Sequence, residues 1–237
     1  MSREWRAWHE RYAHDRALAH RLAVVQGLLR IALDLAPRRR LRLLSLCAGD
    51  GRDVLGVLAS HERASEVEAR LVERDPGLAA IARRRAGQLG LPGTQVVCGD
   101  AGRSDAARGI VPADVLLLCG IFGNVSDADV KNTVFHARTL CRRGAVVLWT
   151  RGRFAPDLTP AIRRWFEEAG FDELAFVPVP GSTAAVGAHR LRARSLPFAP
   201  GVRLFTFLPP AQRPSALAGR TSRRTARRRR TDVAVAR

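Results

Sequence analysis

Residues 113–119 read Ala-Asp-Val-Leu-Leu-Leu-Cys, and no other stretch restricts the fold of this chain so tightly. An apolar run of strand length, bounded by polar and glycine residues, must be covered on both faces. It is too short to cross a bilayer. Four more strand-like runs share its character: RLLSLC (42–47), EARLVE (68–73), TQVVC (94–98) and GAVVLWT (144–150). Helical stretches separate them. One starts at about Asp53. One runs from Pro76 to about Leu89, where Gly90 stops it, and one from Asp127 to about Leu140 behind the capping pair Ser126 and Asp129. Thr159 and Pro160 open another, with Ile162, Trp165, Phe166 and Ala169 on its apolar face and Gly170 at its end. Strands that alternate with helices predict an α/β fold, a parallel sheet with helices on both faces.

The two ends of the chain differ from this middle. Residues 2–36 read as helical, because Leu18, Leu22, Val25, Leu29 and Ala32 recur at helical spacing. Trp5, Trp8 and Tyr12 share a face of the same segment, and Pro37 ends the pattern. Late in the chain, DELAFV (172–177) and RLFTFL (203–208) read as strands without a helix between them, so they are expected to close the sheet as an antiparallel hairpin. Residues 180–201 between them read as a long loop. The boundaries expected are an N-terminal helical segment over 1–36, on the substrate side or as a lid, one domain over 37–208, and a disordered Arg-rich tail over 209–237.

The formal net charge is +18, almost all of it arginine, since Lys131 is the only lysine. Residues 208–237 hold nine arginines against one acid, Asp232. Such a run binds phosphates without sequence preference, which makes nucleic acid a possible nonspecific partner of the tail. The four cysteines, Cys47, Cys98, Cys119 and Cys141, form no CxxC pair, so no zinc site or disulfide framework is expected and a reducing cytoplasm is the simple setting. No secretory signal is visible at the start, and no run is long enough to span a membrane. Oligomeric state is not legible.

Ligands of doubly wound sheets bind beyond the carboxyl ends of the strands. Four such ends carry candidate residues. Cys47, Ala48, Gly49, Asp50 and Gly51 form a glycine-bearing turn after the first strand, with Asp53 just beyond it. Glu73 ends the second strand, about twenty residues on, where an acid can take both hydroxyls of a ribose. Asp100 and Ala101 follow the third strand and could read an adenine edge, the carboxylate accepting from the exocyclic amine and the backbone N–H donating to a ring nitrogen. Cys119, Gly120, Phe122 and Asn124 follow the fourth. A nicotinamide dinucleotide and S-adenosylmethionine both suit the first two positions. A GxGxxG turn starting at Gly49 would need glycine where Val54 stands, which disfavours an NAD(P)-dependent oxidoreductase. Glu73 together with Asp100 suits S-adenosylmethionine better.

The stretches WRAWHERY, LSLCAGDGRDVLGVL, ERDP, GDAG, ADVLLLCGIFGNVSDADV, WTRGR, DLTPAIRRWFEEAGF and RLFTFL, in this order across most of residues 1–208, resemble class I S-adenosylmethionine-dependent methyltransferases, and more narrowly an uncharacterised bacterial group of them. The resemblance implies a Rossmann-like, seven-stranded, mostly parallel sheet with an antiparallel closing strand. It implies S-adenosyl-L-methionine contacts from the glycine loop, from Glu73 and from Asp100 with Ala101. It supplies no acceptor. Two residues depart from the family pattern: Ser45 stands where the first strand usually carries an acid, and Cys47 where the loop has its first glycine. Asp50 and Asp53 are the candidates to replace that acid beside the methionine ammonium group.

Acceptor-side candidates are Phe122 and Asn124, Arg151 and Arg153 after the fifth strand, His9 and Tyr12 on the leading segment, and His189. Asn124, His9 and Tyr12 are the candidates for a catalytic role. The loop 119–127 is not of the Asn-Pro-Pro-aromatic type seen in amino-directed nucleic-acid methyltransferases, and no carboxylate cluster suggests a metal. A small-molecule acceptor is therefore expected, with a non-catalytic nucleic-acid-binding protein of the same fold as the alternative.

Overall fold

The computed structural model describes residues 14–37 and 39–213. Helix α1 (Arg16–Leu35) starts at Asp15, whose carboxylate accepts from the Ala17 and Leu18 amides at 3.0 and 3.3 Å. Strand β1 (Leu41–Leu46) leads through a tight turn into α2 (Arg52–Leu58). Then come β2 (Val67–Glu73), α3 (Pro76–Gln88), β3 (Thr94–Cys98) and β4 (Ala113–Leu118). Helix α4 (Asp127–Leu140), β5 (Cys141–Gly152), α5 (Thr159–Glu168), β6 (Phe171–Pro178) and β7 (Ala184–Leu191) complete the fold. The cap expected at Ser126 forms, and the Asp75 carboxylate caps α3.

The seven strands lie in the order β3-β2-β1-β4-β5-β7-β6. Strands β1 to β5 are parallel, whereas β7 runs antiparallel to both of its neighbours. Residues alternate between the two faces. Leu41 and Leu43 of β1, with Val115 and Leu117 of β4, pack under α1, α2 and α3. Leu44, Leu46, Leu116 and Leu118 face α4 and α5. Both faces are therefore apolar, which is what the unbroken run at 113–119 required. Helix α1 belongs to this sandwich, since Val25, Leu29 and Leu33 are fully buried in it.

Two late segments exchange roles relative to the sequence reading. Residues 184–191, expected to lie in a loop, form β7 at the heart of the closing half-sheet. Residues 203–208, expected to be a strand, make only isolated bridges, Arg103 with Arg203 and Val125 with Phe207. They form a strap instead. The Leu204 amide donates to the Gly102 carbonyl at 2.8 Å and the Leu208 amide to the Asn124 carbonyl at 2.8 Å. Asn132 Nδ2 and Thr133 Oγ1 of α4 hold the Leu204 carbonyl at 2.8 and 3.0 Å. A Cβ at Gly102 would lie 2.4 Å from the Phe205 carbonyl oxygen, so only glycine lets the strap pass so close. Within the tail expected from residue 209, residues 210–212 form a turn of 3₁₀ helix, and residues 214–237 lie outside those described.

Candidate functional site

The strand order reverses at β1 and β4, which places a crevice at their carboxyl ends. The turn after β1 has an unusual backbone. Cys47, Gly49 and Gly51 all have positive φ, at 57°, 59° and 77°. Alternate residues thus turn left-handed, a conformation two glycines accept freely and a cysteine does not. The Ala48 amide donates to the Val72 carbonyl at 3.0 Å and extends the β1–β2 pairing into the turn.

Glu73 ends β2 beside this loop. Its Oε2 accepts from the Gly49 amide at 2.8 Å and its Oε1 from the Asp75 amide at 2.7 Å. Burial pushes its carboxyl above the usual range, and the two amides pull it back. One lone pair remains on each oxygen, so an oriented acceptor for two hydroxyls stands at the mouth of the loop. Burial pushes the Cys47 thiol well above its ordinary value, and the charges of Glu73 and Asp100 raise it further.

Asp100 stands after β3. Its Oδ1 accepts from the Gly102 amide at 2.9 Å and its Oδ2 from Arg203 Nη1 at 2.7 Å. Desolvation raises its carboxyl, but the contacts from Arg203 and Gly102 outweigh that and leave it below the ordinary value. Ala101 next to it is buried. Asp100 is thereby held ionised and acceptor-only on the rim where the strap passes.

The two acids proposed to replace the first-strand carboxylate separate here. Ser45 is buried within the sheet. Asp50 is buried too, and its carboxylate is clasped by Arg52 Nη2 at 2.6 Å and by Arg85 Nη1 of α3 at 3.2 Å. It fastens the loop to α3 and is already paired with two guanidiniums. Asp53, half-buried on the first turn of α2, is instead within electrostatic range of Arg21 of α1 and of the Cys119 thiol. Burial raises the Asp53 carboxyl and Arg21 lowers it. Arg21 Nη1 donates to Thr150 Oγ1 at 3.2 Å, and the Gly120 amide donates to the same oxygen at 2.9 Å. Sequence reasoning missed Arg21, although a signal existed: it occupies the buried i, i+4 row that continues as Val25, Leu29 and Leu33.

The acceptor-side candidates do not all converge. Phe122 is fully buried, its ring 6.0 Å from that of Trp149, so its side chain is core rather than an acceptor-contacting surface. Asn124 spends its Nδ2 on the Gly120 carbonyl at 2.7 Å and so braces its own loop. Arg151 is buried under that loop; its Nη1 donates to the Phe122 carbonyl and its Nη2 lies 3.8 Å from Asp127. Desolvation lowers the Arg151 guanidinium from its ordinary value. Arg153 is exposed. His189 is buried in β7, accepting from Trp149 Nε1 at 3.1 Å. His9 and Tyr12, with Trp5 and Trp8, lie outside the described residues. Among the described residues no group of three or more His, Cys, Asp and Glu could hold a metal, and no helix is long and apolar enough to cross a membrane.

No protein-family model matches the sequence, and no curated protein sequence does. Solved structures do match. The 1,6-didemethyltoxoflavin-N1-methyltransferase of Burkholderia thailandensis, solved with 1,6-didemethyltoxoflavin and S-adenosylhomocysteine, aligns with a TM-score of 0.60 at 14% identity, over 80% of this chain and 84% of that one. The fold is that of the class I methyltransferases. The CurJ carbon methyltransferase aligns with a TM-score of 0.61 at 17% identity, over 77% of this chain and 57% of that one. An O-methyltransferase family protein from Burkholderia thailandensis aligns at 0.55 and 18% identity, over 77% and 62%. The chain therefore spans less than two thirds of the length of the latter two. In this class I methyltransferase fold the antiparallel β7 lies between β5 and β6, whereas the dinucleotide fold runs 3-2-1-4-5-6. Val54, fully buried in α2, fills the place where the dinucleotide turn would need glycine.

Proposed function

We propose that the chain is an S-adenosyl-L-methionine-dependent methyltransferase that acts on a small molecule. The observation that carries this reading is Glu73, half-buried at the end of β2 and aimed by the Gly49 and Asp75 amides beside the left-handed 47–51 loop. That arrangement suits a ribose diol. Asp100 with Ala101 suits the adenine edge, and the end of β4 at Cys119 and Gly120 suits the methionine half. The neighbours named for methyl transfer to nitrogen, carbon or oxygen support a methyl donor in this crevice. Transfer from a sulfonium releases a neutral thioether, so the protein chiefly has to align the acceptor behind the methyl group. A base is needed only where the acceptor must lose a proton. Arg153, exposed after β5, is the described candidate for an anionic acceptor. His9 and Tyr12 keep their proposed acceptor-side role from the leading segment. Four free thiols support a reducing, cytoplasmic setting.

Isothermal titration with S-adenosylmethionine and S-adenosylhomocysteine tests the reading. Binding by the full chain is expected, and Glu73→Ala should weaken it by about 10- to 100-fold, the range for hydrogen bonds to a charged group. Asp100→Ala should cost less, because its rim is solvated. A folded wild type that binds neither ligand sinks the reading. Transfer of labelled methyl into small molecules of a metabolite extract, and not into RNA or protein, is the expected second result.

A further inference from the structure

The sheet has a second edge, opposite the crevice. There the amino ends of β1, β4 and β5 meet the carboxyl end of β7, because β7 runs antiparallel and its Arg190 pairs with Val146. Arginine is concentrated along this edge. The carboxylates among these strand ends are already taken. Asp114 lies buried between Arg39 and Arg142, the latter at 3.0 Å, and Asp172 is held by Arg192 at 2.8 Å. Four further arginines, Arg40, Arg143, Arg190 and Arg194, are exposed and have no carboxylate partner among the described residues. Arg143 gives only its Nε, to the Arg192 carbonyl at 3.1 Å. Neighbouring strands lie about 4.8 Å apart, so the steps from β1 to β7 spread these charges over about 15 Å. The strip ends at β6, where the end of α5 brings acids back at Glu167 and Glu168.

The same edge carries exposed leucine. Leu35, in the last turn of α1, is 69% exposed, and Asp34 beside it lies 3.3 Å from His61 Nε2. Leu196 is 46% exposed, and its amide donates at 3.1 Å to the Arg138 carbonyl in the last turn of α4. Both helix ends are level with this edge, since α1 leads into β1 through residues 36–40 and α4 runs directly into β5. Helices α1 and α4 pack on opposite faces of the sheet, so the two leucines flank the arginine strip from both sides. No large apolar side chain exposed among the described residues stands at the crevice.

We propose that this edge docks on an anionic lipid bilayer, with the arginines on the phosphate headgroups and Leu35 and Leu196 at the boundary between headgroups and acyl chains. This goes beyond the methyltransferase reading and does not rest on it. Charge alone would suit any polyanion. The leucines decide for lipid. A phosphodiester backbone in water offers nothing that buries two aliphatic side chains, whereas a bilayer interface receives apolar and basic groups together. Docking by this edge turns the crevice away from the bilayer and leaves it open to solutes.

The test is cosedimentation of the full chain with vesicles of phosphatidylglycerol and phosphatidylcholine in equal parts, with vesicles of phosphatidylcholine alone, and a parallel titration with duplex RNA. The wild type should bind the anionic vesicles at least about 10-fold more tightly than the neutral ones, and equal binding overturns the proposal. Residues 214–237 bring arginines of their own, so variants of the edge decide. Leu35→Ser with Leu196→Ser should weaken vesicle binding by about 10- to 100-fold and leave the affinity for RNA within about twofold. Arg40→Gln, Arg143→Gln, Arg190→Gln and Arg194→Gln together should weaken vesicle binding by at least about 10-fold. Wild-type vesicle binding in either variant would overturn the proposal. Equal loss of RNA and vesicle affinity in the glutamine variant, with no effect of the serine pair, would make the edge a nucleic-acid face and also overturn it. Should a variant not melt cooperatively, hydrogen exchange of the wild type on anionic vesicles takes its place. Amides of residues 36–40 and 192–197 should gain protection, and protection confined to residues 214–237 would overturn the proposal.

Discussion

At Cys47 the chain places a β-carbon in a left-handed conformation, φ 57°, that costs an ordinary residue about 1–2 kcal/mol. Its side chain packs against the α4 side of the core, which offsets part of that cost. Cys47→Gly should therefore change stability by less than about 1 kcal/mol, because the relief of backbone strain is set against the removal of a packed side chain. Gly51 has no such latitude. A Cβ there would stand 2.8 Å from Leu55 Cδ1 and 3.0 Å from Leu71 Cδ2, both side chains fully buried, at φ 77°. Gly51→Ala should lower stability by about 2–4 kcal/mol in urea unfolding, and a loss under about 0.5 kcal/mol would contradict such close packing. The tight turn at residues 47–51 was legible in the sequence from its two glycines. The difference in surroundings between Asp50 and Asp53 was not. It depends on Arg85, far along the chain on α3, and on Arg21, before the loop on α1.

Helix α1 ends without glycine, and its last carbonyls need donors from elsewhere. Arg63 supplies them. Its guanidinium is buried, with Nη1 on the Leu33 carbonyl and, at 2.9 Å, on that of Ala36, while Nη2 reaches the Pro37 carbonyl at 2.8 Å. Glu66 balances the charge, its Oε2 accepting from Arg63 Nε at 2.8 Å. Arg63→Met leaves three carbonyls, that of Leu33 buried, without that donor, and a loss of about 2–4 kcal/mol is expected in thermal or urea unfolding. Lysine should restore only part of it, since a point charge cannot span three acceptors. An unchanged midpoint in Arg63→Met would show that water serves these carbonyls equally well. The parallel strands were readable because runs such as ADVLLLC admit few other structures. Strand β7 was not, because AAVGAHRL combines alanine, glycine and arginine in a way typical of loops. Pairing along both edges makes it a strand, and Gly187 is needed because a Cβ there would lie 2.2 Å from the Trp149 indole. Conversely, RLFTFL alternates like a strand, yet side chains and loop carbonyls take up its backbone groups.

For the molecule as a whole, charge sets two expectations. The first concerns the arginines of residues 214–237: any affinity for duplex RNA or DNA should fall steeply with salt and should disappear when those residues are removed. Affinity that survives the deletion would belong to the folded domain. The second concerns the response of stability to acid, and it runs through His189. Trp149 Nε1 donates to its Nδ1, which leaves the proton on Nε2, 3.6 Å from Glu173 Oε2. The ring stacks on Phe166 at 4.4 Å, and Glu173 is itself gripped by Arg163 at 2.6 and 2.8 Å. Burial outweighs the attraction of Glu173 and brings the imidazole down to about 4. In the unfolded chain it titrates near 6.5. Between these values the unfolded state binds more protons than the folded one, so stability rises with pH across this window. The contribution is complete above about pH 6.5 and is lost as the pH falls toward 4, a change of the order of a few kcal/mol. His189→Gln can still accept from Trp149 but cannot titrate. Relative to wild type, it should therefore lose one proton's worth of slope in urea midpoints measured at intervals from pH 4.5 to 7.5. The raised carboxyls of Glu73 and Asp53 push the other way in both proteins, so the comparison cancels them. Parallel profiles for the two proteins would mean that His189 is protonated in the folded state. Such a result would also reopen His189 as a proton-transfer group, a role its neutral, buried ring otherwise denies it.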